Sequence, residues 1–200
     1  MRTSAAKQLG ERTVAAAGLV LLAPLILLLA ALVRMESSGP AVFRQTRIGK
    51  DGVPFTMLKL RTMCADAAEL QASLSARTPA ELMMFKMHAD PRITRLGRFL
   101  RTYSLDELPQ LVNVVRGQMA LVGPRPALPC EVERYDADTF RRLAVTPGMT
   151  GLWQVSGRSD LSWEESVRLD LRYVDDWTPG LDLRILARTA GAVVGHRGAY

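Results

Sequence analysis

Cysteine and histidine are almost missing from this chain of 200 residues, with two of each. Cys64 and Cys130 stand far apart and in no metal-like spacing, which excludes a disulfide framework and fits a reducing compartment. His88 and His196 are isolated, so neither anchors a catalytic or metal-binding constellation. There is no Walker loop, no Rossmann glycine fingerprint and no His/Cys metal cluster. Internal repeats and low-complexity tracts are absent as well. Aromatic residues make up only 6% and are not interleaved with basic ones, so no nucleic-acid-binding motif stands behind the positive charge.

What is present is a chain rich enough in apolar residues to build a core: 48% hydrophobic against 23% charged. The net charge of +6 points to an acidic partner, which charge alone leaves open among nucleic acid, anionic lipid and phosphorylated substrate. Arginine dominates the basic residues, as suits bidentate phosphate contacts, although codon bias has the same effect.

Val14 to Val33 is an uncharged run bounded by Arg12 and Arg34. As a helix it measures roughly 30 Å, about one hydrocarbon core. Pro24 sits in its middle, where it removes a backbone donor and predicts a kink. Basic residues lie on both flanks: Arg2, Lys7 and Arg12 before the run, Arg34, Arg44, Arg47 and Lys50 after it. If positive charge stays cytoplasmic, both ends belong on one side. A kinked helix that enters and leaves by one leaflet satisfies that rule, and a kinked spanning helix is the alternative.

Beyond Gly39-Pro40, Val42 to Ile48 and Phe55 to Leu60 read as a hairpin around Gly49-Lys50-Asp51-Gly52. Cys64 to about Met87 has a helical pattern, and Asp90-Pro91 marks a turn. Thr94 is placed to cap a helix over Arg95 to Thr102, Ser104 the next one, and Ser162 one that runs to about Trp177. Leu181 to Val194 is a last, amphipathic helix, with Arg184 and Arg188 among its apolar residues. The expected class is α+β and mostly helical: a Pro-kinked membrane helix with its flanks (1–38), re-entrant or spanning, then one continuous unit (39–200) with a small β-hairpin and amphipathic helices.

Five places carry possible chemistry. In Ser104-Leu105-Asp106-Glu107-Leu108-Pro109-Gln110, Ser104 and Glu107 have capping-box spacing, so an ordinary helix start explains them. The same pattern also puts two carboxylates at a positive helix end, one free to act as nucleophile and one as metal ligand. Lys59 and Arg61 share a face if their strand alternates, either as a solvated basic edge or as a phosphate clamp. Arg92, Arg95, Arg98 and Arg101 read mostly as surface charges near anionic headgroups, with Arg101 the closest to the acid pair. In Gly123-Pro124-Arg125-Pro126, two prolines stiffen the loop that presents Arg125. Asp170 falls on the apolar face of its helix, formed by Trp163, Val167, Leu171, Val174 and Trp177. There it is either a site residue or one half of a structural ion pair with an arginine.

Taken together, Pro40 to Met63, Asp90 to Arg101, Ser104 to Gln110, Leu121 to Pro126 and Pro147 to Ser159 resemble the bacterial sugar transferases, the monotopic phosphoglycosyl transferases, in order and spacing. The likeness runs from about Glu11 to Tyr200 and is to the minimal catalytic form, without the extra N-terminal helices of longer relatives. It implies a bacterial inner-membrane enzyme working at the cytoplasmic face, with a re-entrant membrane helix (1–38), a catalytic domain (39–200) and amphipathic interfacial helices. Asp106 would take the phosphosugar from a UDP-sugar and expel UMP; polyprenyl (undecaprenyl) phosphate would then collect it. Glu107 would hold Mg²⁺, or Mn²⁺. Lys59, Arg61, Arg101 and Arg125, with Gln154, Arg158 and Asp170, would bind substrate or support the pair. The stretch Gly151 to Ser159 and the later Leu169 to Tyr173 resemble the branch that transfers hexose 1-phosphate, with UDP-glucose or UDP-galactose as donor, in exopolysaccharide or O-antigen synthesis. An N-acetylhexosamine-1-phosphate transferase, or a membrane adaptor on the same fold, is the alternative. Where relatives have Ser-Pro at the kink, this chain has Ala23-Pro24.

Overall fold

A computed structural model describes residues 5–64, 66–67, 90–157 and 161–194, with side chains as far as 192. The helix expected from Cys64 to about Met87 lies almost entirely outside them, and so do Arg158, His88 and His196.

The first helix, α1 (Ala5–Glu36), is 32 residues long with Pro24 inside it. At 1.5 Å per residue it is about 48 Å in length. It is the one described helix long and apolar enough to cross a bilayer, with a mean hydropathy of 2.8 over its most apolar stretch. Few of its side chains are buried, because most of the apolar ones face away from the protein: Val20, Leu21, Leu27 and Leu28 are all exposed.

The hairpin forms as expected. Strand β1 (Val42–Ile48) pairs antiparallel with β2 (Pro54–Leu60), from Val42 opposite Leu60 to Ile48 opposite Pro54. Its turn needs left-handed backbone at Asp51 (φ 56°) and Gly52 (φ 78°), which the Asp-Gly pair tolerates well. Helix α2 (Arg95–Thr102) starts where Thr94 accepts from the Gly97 amide at 2.9 Å. Gly97 lets this helix approach the end of β2, since a Cβ there would overlap the Thr62 carbonyl.

A single 3₁₀ turn, Leu105–Glu107, follows, then α3 (Gln110–Val115) with Pro109 at its N-cap. Strand β3 (Ala120–Val122) pairs in parallel with β4 (Gly148–Thr150), a contact between distant segments that no local pattern announced. Between them lie two one-turn helices, α4 (Pro129–Val132) and α5 (Ala137–Phe140). Helix α6 (Trp163–Asp175) opens with a full capping box between Ser162 and Glu165. Helix α7 (Pro179–Val194) begins at the Thr178-Pro179-Gly180 break rather than beyond it.

Both halves of α1 pack on the same body. Near its start, Ala15 is fully buried with Phe55, Met57, Leu111 and Val114. Lys7 donates to Tyr173 Oη at 2.9 Å and pairs with Asp182, tying α1 to α6 and α7. Near its end, Leu29 and Val33 are buried with Ala41, Leu60 and Leu100, and Glu36 accepts from the Leu96 amide at 3.0 Å. Around Pro24, between these two anchorages, Leu21, Leu25, Leu27 and Leu28 are left outward.

Candidate active site

The acid pair sits at the junction of α2, β2 and α3. Ser104 was expected to cap a helix here, but it adopts a left-handed conformation (φ 55°, ψ 24°) and its side chain makes no capping bond. The capping box is therefore not formed, and the pair is not held by a long helix end. A positive φ at a non-glycine residue is uncommon and costs free energy, so tertiary packing must hold it. The result is a tight turn that directs the Asp106 side chain inward (8% exposed), while Glu107 stays half-buried.

Lys59, at the end of β2, reaches across to Glu107 with Nζ 2.7 Å from Oε1. Arg101, in the last turn of α2, donates through Nε to Thr62 Oγ1 at 2.9 Å, which holds the guanidinium beside the turn. Burial pushes the Asp106 carboxyl up to about 6; the Lys59 charge opposes this, Glu107 adds to it, and Arg101 opposes it. Burial likewise pulls Arg101 below its ordinary value, against the favourable charge of Asp106. The helix-end field invoked from sequence would have held both acids low; desolvation wins at Asp106 instead.

A second cationic group stands alongside. Arg125 bonds both Glu131 oxygens at 3.1 Å through Nη1. Glu131 is buried and also accepts from the Leu128 amide at 2.7 Å, so it both orients Arg125 and closes the loop around it. Arg47 of β1 donates to the Pro126 carbonyl at 2.9 Å and to Gln45 Oε1. Burial and the nearby Arg125 charge lower Arg47 to about 10, while the charges of Glu131 and Glu107 raise it. Arg47 thus stands between the Arg125 loop and the acid pair, a position that sequence reading did not assign to it.

Asp170 has no exposed surface and therefore does not touch a soluble substrate directly. It forms the ion pair with an arginine that was the alternative reading: Arg142 donates to Oδ2 from Nε at 3.1 Å and from Nη2 at 2.6 Å. Arg142 also bonds Tyr135 Oη at 2.6 Å and lies over the Tyr135 and Trp163 rings. Burial raises the Asp170 carboxyl to about 6, against Arg142 and then the backbone amide of Arg125. Its position is behind the Arg125 loop, as a support.

Other expectations move too. Arg92 is not a surface charge but is buried against Asp90, with Nη2 2.6 Å from Oδ2; Arg95 and Arg98 are exposed as expected. Arg61 does not join the acid pair. It donates to the Ser37 and Ser38 carbonyls just past the end of α1, where the chain leaves that helix. Gln154 donates to the Met149 carbonyl at 3.3 Å in the turn after β4. A fully bonded buried residue near the site escaped notice in the sequence. Asn113 is fully buried; it accepts from the Leu58 amide at 3.1 Å and donates to Thr56 O at 2.7 Å and Gln118 Oε1 at 2.8 Å. It fastens α3, and with it the acid turn, to β2.

No group of three or more potential metal-ligating side chains occurs among the described residues. The donor set at the turn is two carboxylates, which suits a hard divalent ion that takes the rest of its oxygens from phosphate and water.

Residues 2–196 match the bacterial sugar transferase family. The chain is 44% identical over 186 residues to the UDP-galactose-lipid carrier transferase of Erwinia amylovora, which covers 91% of this chain and 39% of that protein. It is 41% identical over 199 residues to the exopolysaccharide production protein ExoY of Rhizobium meliloti (98% of this chain, 88% of that protein). It is 42% identical over 188 residues to the UDP-glucose:undecaprenyl-phosphate glucose-1-phosphate transferase of Caulobacter vibrioides (90% and 66%). Several relatives are much longer: the chain spans 36% to 43% of the length of three of them.

Proposed function

Because this chain belongs to the bacterial sugar transferase family, we propose that it moves a hexose 1-phosphate from a UDP-sugar to polyprenyl phosphate at the cytoplasmic face of the bacterial inner membrane. The observation that carries this reading is Asp106, a buried carboxylate presented on a tight turn between the cations Lys59 and Arg101. A carboxyl raised to about 6 is ionised at neutral pH, yet more basic than an ordinary aspartate, which favours nucleophilic attack.

In the proposed reaction an Asp106 oxygen attacks the β-phosphorus of the UDP-sugar. The bond from that phosphorus to the bridging oxygen breaks, and UMP leaves. The aspartyl phosphosugar is then attacked by a phosphate oxygen of the polyprenyl phosphate, which frees Asp106 and yields the lipid diphosphosugar. Negative charge develops on phosphoryl oxygens in both steps, where Lys59, Arg101 and Arg125 would stabilise it. Glu107, with the substrate diphosphate, would hold Mg²⁺ or Mn²⁺, which supplies further neutralisation of that charge. Two half-reactions let a soluble donor and a lipid acceptor use one site in turn. The names of the relatives favour a glucose or galactose donor and a role in exopolysaccharide production; the sequence resemblance extends that role to O-antigen synthesis.

The membrane helix is proposed to be re-entrant. Residues near Lys7 and Ala15 and residues from Leu29 to Glu36 dock on one body, which a straight span would place on opposite sides of the bilayer. Pro24 lies in the undocked stretch and is where a bend would fall. Leu183 and Leu186 of α7, exposed beside Arg184 and Arg188, suit the interface.

UMP release in detergent, with Mg²⁺, undecaprenyl phosphate and a panel of UDP-sugars, tests the reading. One donor is expected to give lipid-dependent UMP, and Asp106→Asn none. Intact mass is expected to show a phosphosugar adduct when the acceptor is withheld. Full turnover by Asp106→Asn would exclude the covalent route.

A further inference from the structure

A groove of about 560 Å³ runs between the second half of α1 and β1, outside the acid turn. Ala30, Ala41 and the exposed Phe43 give it an apolar lining, and Arg34, Arg44 and Arg61 are the charged residues along it, with no carboxylate among the lining residues. Arg34 and Arg44 are exposed. Arg61 is held by the Ser37 and Ser38 carbonyls, yet its buried Nε has no acceptor among the described residues. An apolar trough with unopposed cations is complementary to a molecule with an apolar tail and an anionic head. Leu27, Leu28 and Leu32 are exposed on the same half of α1, so a tail leaving the groove meets the surface that faces lipid.

The groove also adjoins the site. Arg61 continues the hairpin pairing, its amide donating to the Ala41 carbonyl at 2.8 Å, and it follows Lys59 by two residues. That is roughly 7 Å along an extended chain. Lys59 is the residue that bonds Glu107. A lipid in this groove therefore lies next to the strand that presents Lys59 to the acid pair.

We propose that this groove is the docking subsite of the polyprenyl phosphate acceptor. The first isoprene units lie against Ala30, Ala41 and Phe43, and the phosphate is received by Arg34, Arg44 and Arg61 before it moves to Asp106. The assignment rests on the transferase reading above. It also gives the acceptor a place to wait while the nucleotide sugar occupies the acid turn.

The test is photocrosslinking of the full chain, in nanodiscs of neutral phosphatidylcholine, with undecaprenyl phosphate carrying a diazirine in its first isoprene unit. Crosslinks are expected on α1 and β1 residues of the groove. Arg34→Ala/Arg44→Ala is expected to lower their yield about ten-fold, the scale of losing a charge-assisted phosphate contact. Arg44→Lys, which keeps the charge, is expected to retain more crosslinking than Arg44→Ala. Arg168→Ala, exposed on α6, is the charge-matched control expected to leave the yield unchanged. Phosphatidylglycerol that competes as well as undecaprenyl phosphate would assign the groove to a bulk phospholipid and overturn the proposal. So would an unchanged yield in the double variant, or crosslinks that map elsewhere. No UDP-sugar is needed for this readout. Groove crosslinking by a protein that turns over no donor would therefore uphold the subsite and refute the transferase reading.

Discussion

Asp106→Asn is expected to abolish turnover and, at neutral pH, to make the protein more stable. The carboxyl is 8% exposed, and burial raises it from an ordinary value of 3.8 to about 6. A raised carboxylate in the folded state means that folding disfavours the ionised form. Stability is therefore lost as pH rises between the unfolded and folded values, and the penalty is complete above about 6. Its size is about 3 kcal/mol from the difference between the two values. An asparagine carries no charge to desolvate, but its buried amide still needs partners, so about 3 kcal/mol is an upper bound. For a protein of this size the gain corresponds to a rise in Tm of up to roughly 10 °C. The assay is thermal unfolding in detergent, followed by intrinsic tryptophan fluorescence for both proteins between pH 4 and 8. The variant's advantage should be largest above pH 7 and should shrink as pH falls through 6 toward 4. An asparagine variant that unfolds at the same temperature or lower across that range, with the fold otherwise intact, would refute the claim that desolvation dominates at Asp106.

Lys59→Met removes the charge that most opposes this desolvation, so the acid limb of the pH–rate profile should move to higher pH, with initial UMP release between about pH 5.5 and 8 as the readout. Asn113→Ala deletes three side-chain hydrogen bonds and strands the Leu58 amide and Thr56 carbonyl of β2. We expect a loss of about 2–4 kcal/mol, read from urea unfolding in mild detergent. Asp170→Asn leaves Arg142 buried without its counter-charge and should cost about 3–5 kcal/mol by the same measurement. It should also lower affinity for the UDP-sugar if the Arg125 loop depends on it, which isothermal titration would detect.

Local signals were legible in the sequence wherever the physics is local. Thr94 and Ser162 cap helices because each side chain meets an amide three residues ahead, and the hairpin forms around an Asp-Gly turn whose φ values suit those residues. The apolar face of α6 likewise foretold that Asp170 would be buried. Ser104 broke the pattern because its capping-box spacing is compatible with a helix start but does not require one. Packing of the turn between α2 and β2 imposed a left-handed backbone instead. Arg61 too answers to partners distant in the chain. Strand alternation put it on the face of Lys59, but the carbonyls that leave α1 drew it away from the acid pair.

By itself the sequence determined the long apolar helix, the hairpin, the family and the position of the acid pair in the chain, because these depend on composition, short-range periodicity and contiguous motifs. The tertiary structure alone decided how far Asp106 is desolvated and which residues hold the site in shape. Asn113, Glu131 and Arg142 act through partners that are distant in the chain or lie around a non-repeating loop, and no spacing rule identifies such partners. The protonation behaviour of Asp106 belongs to the same class. It is set by the balance between lost water and the charges that folding brings beside it.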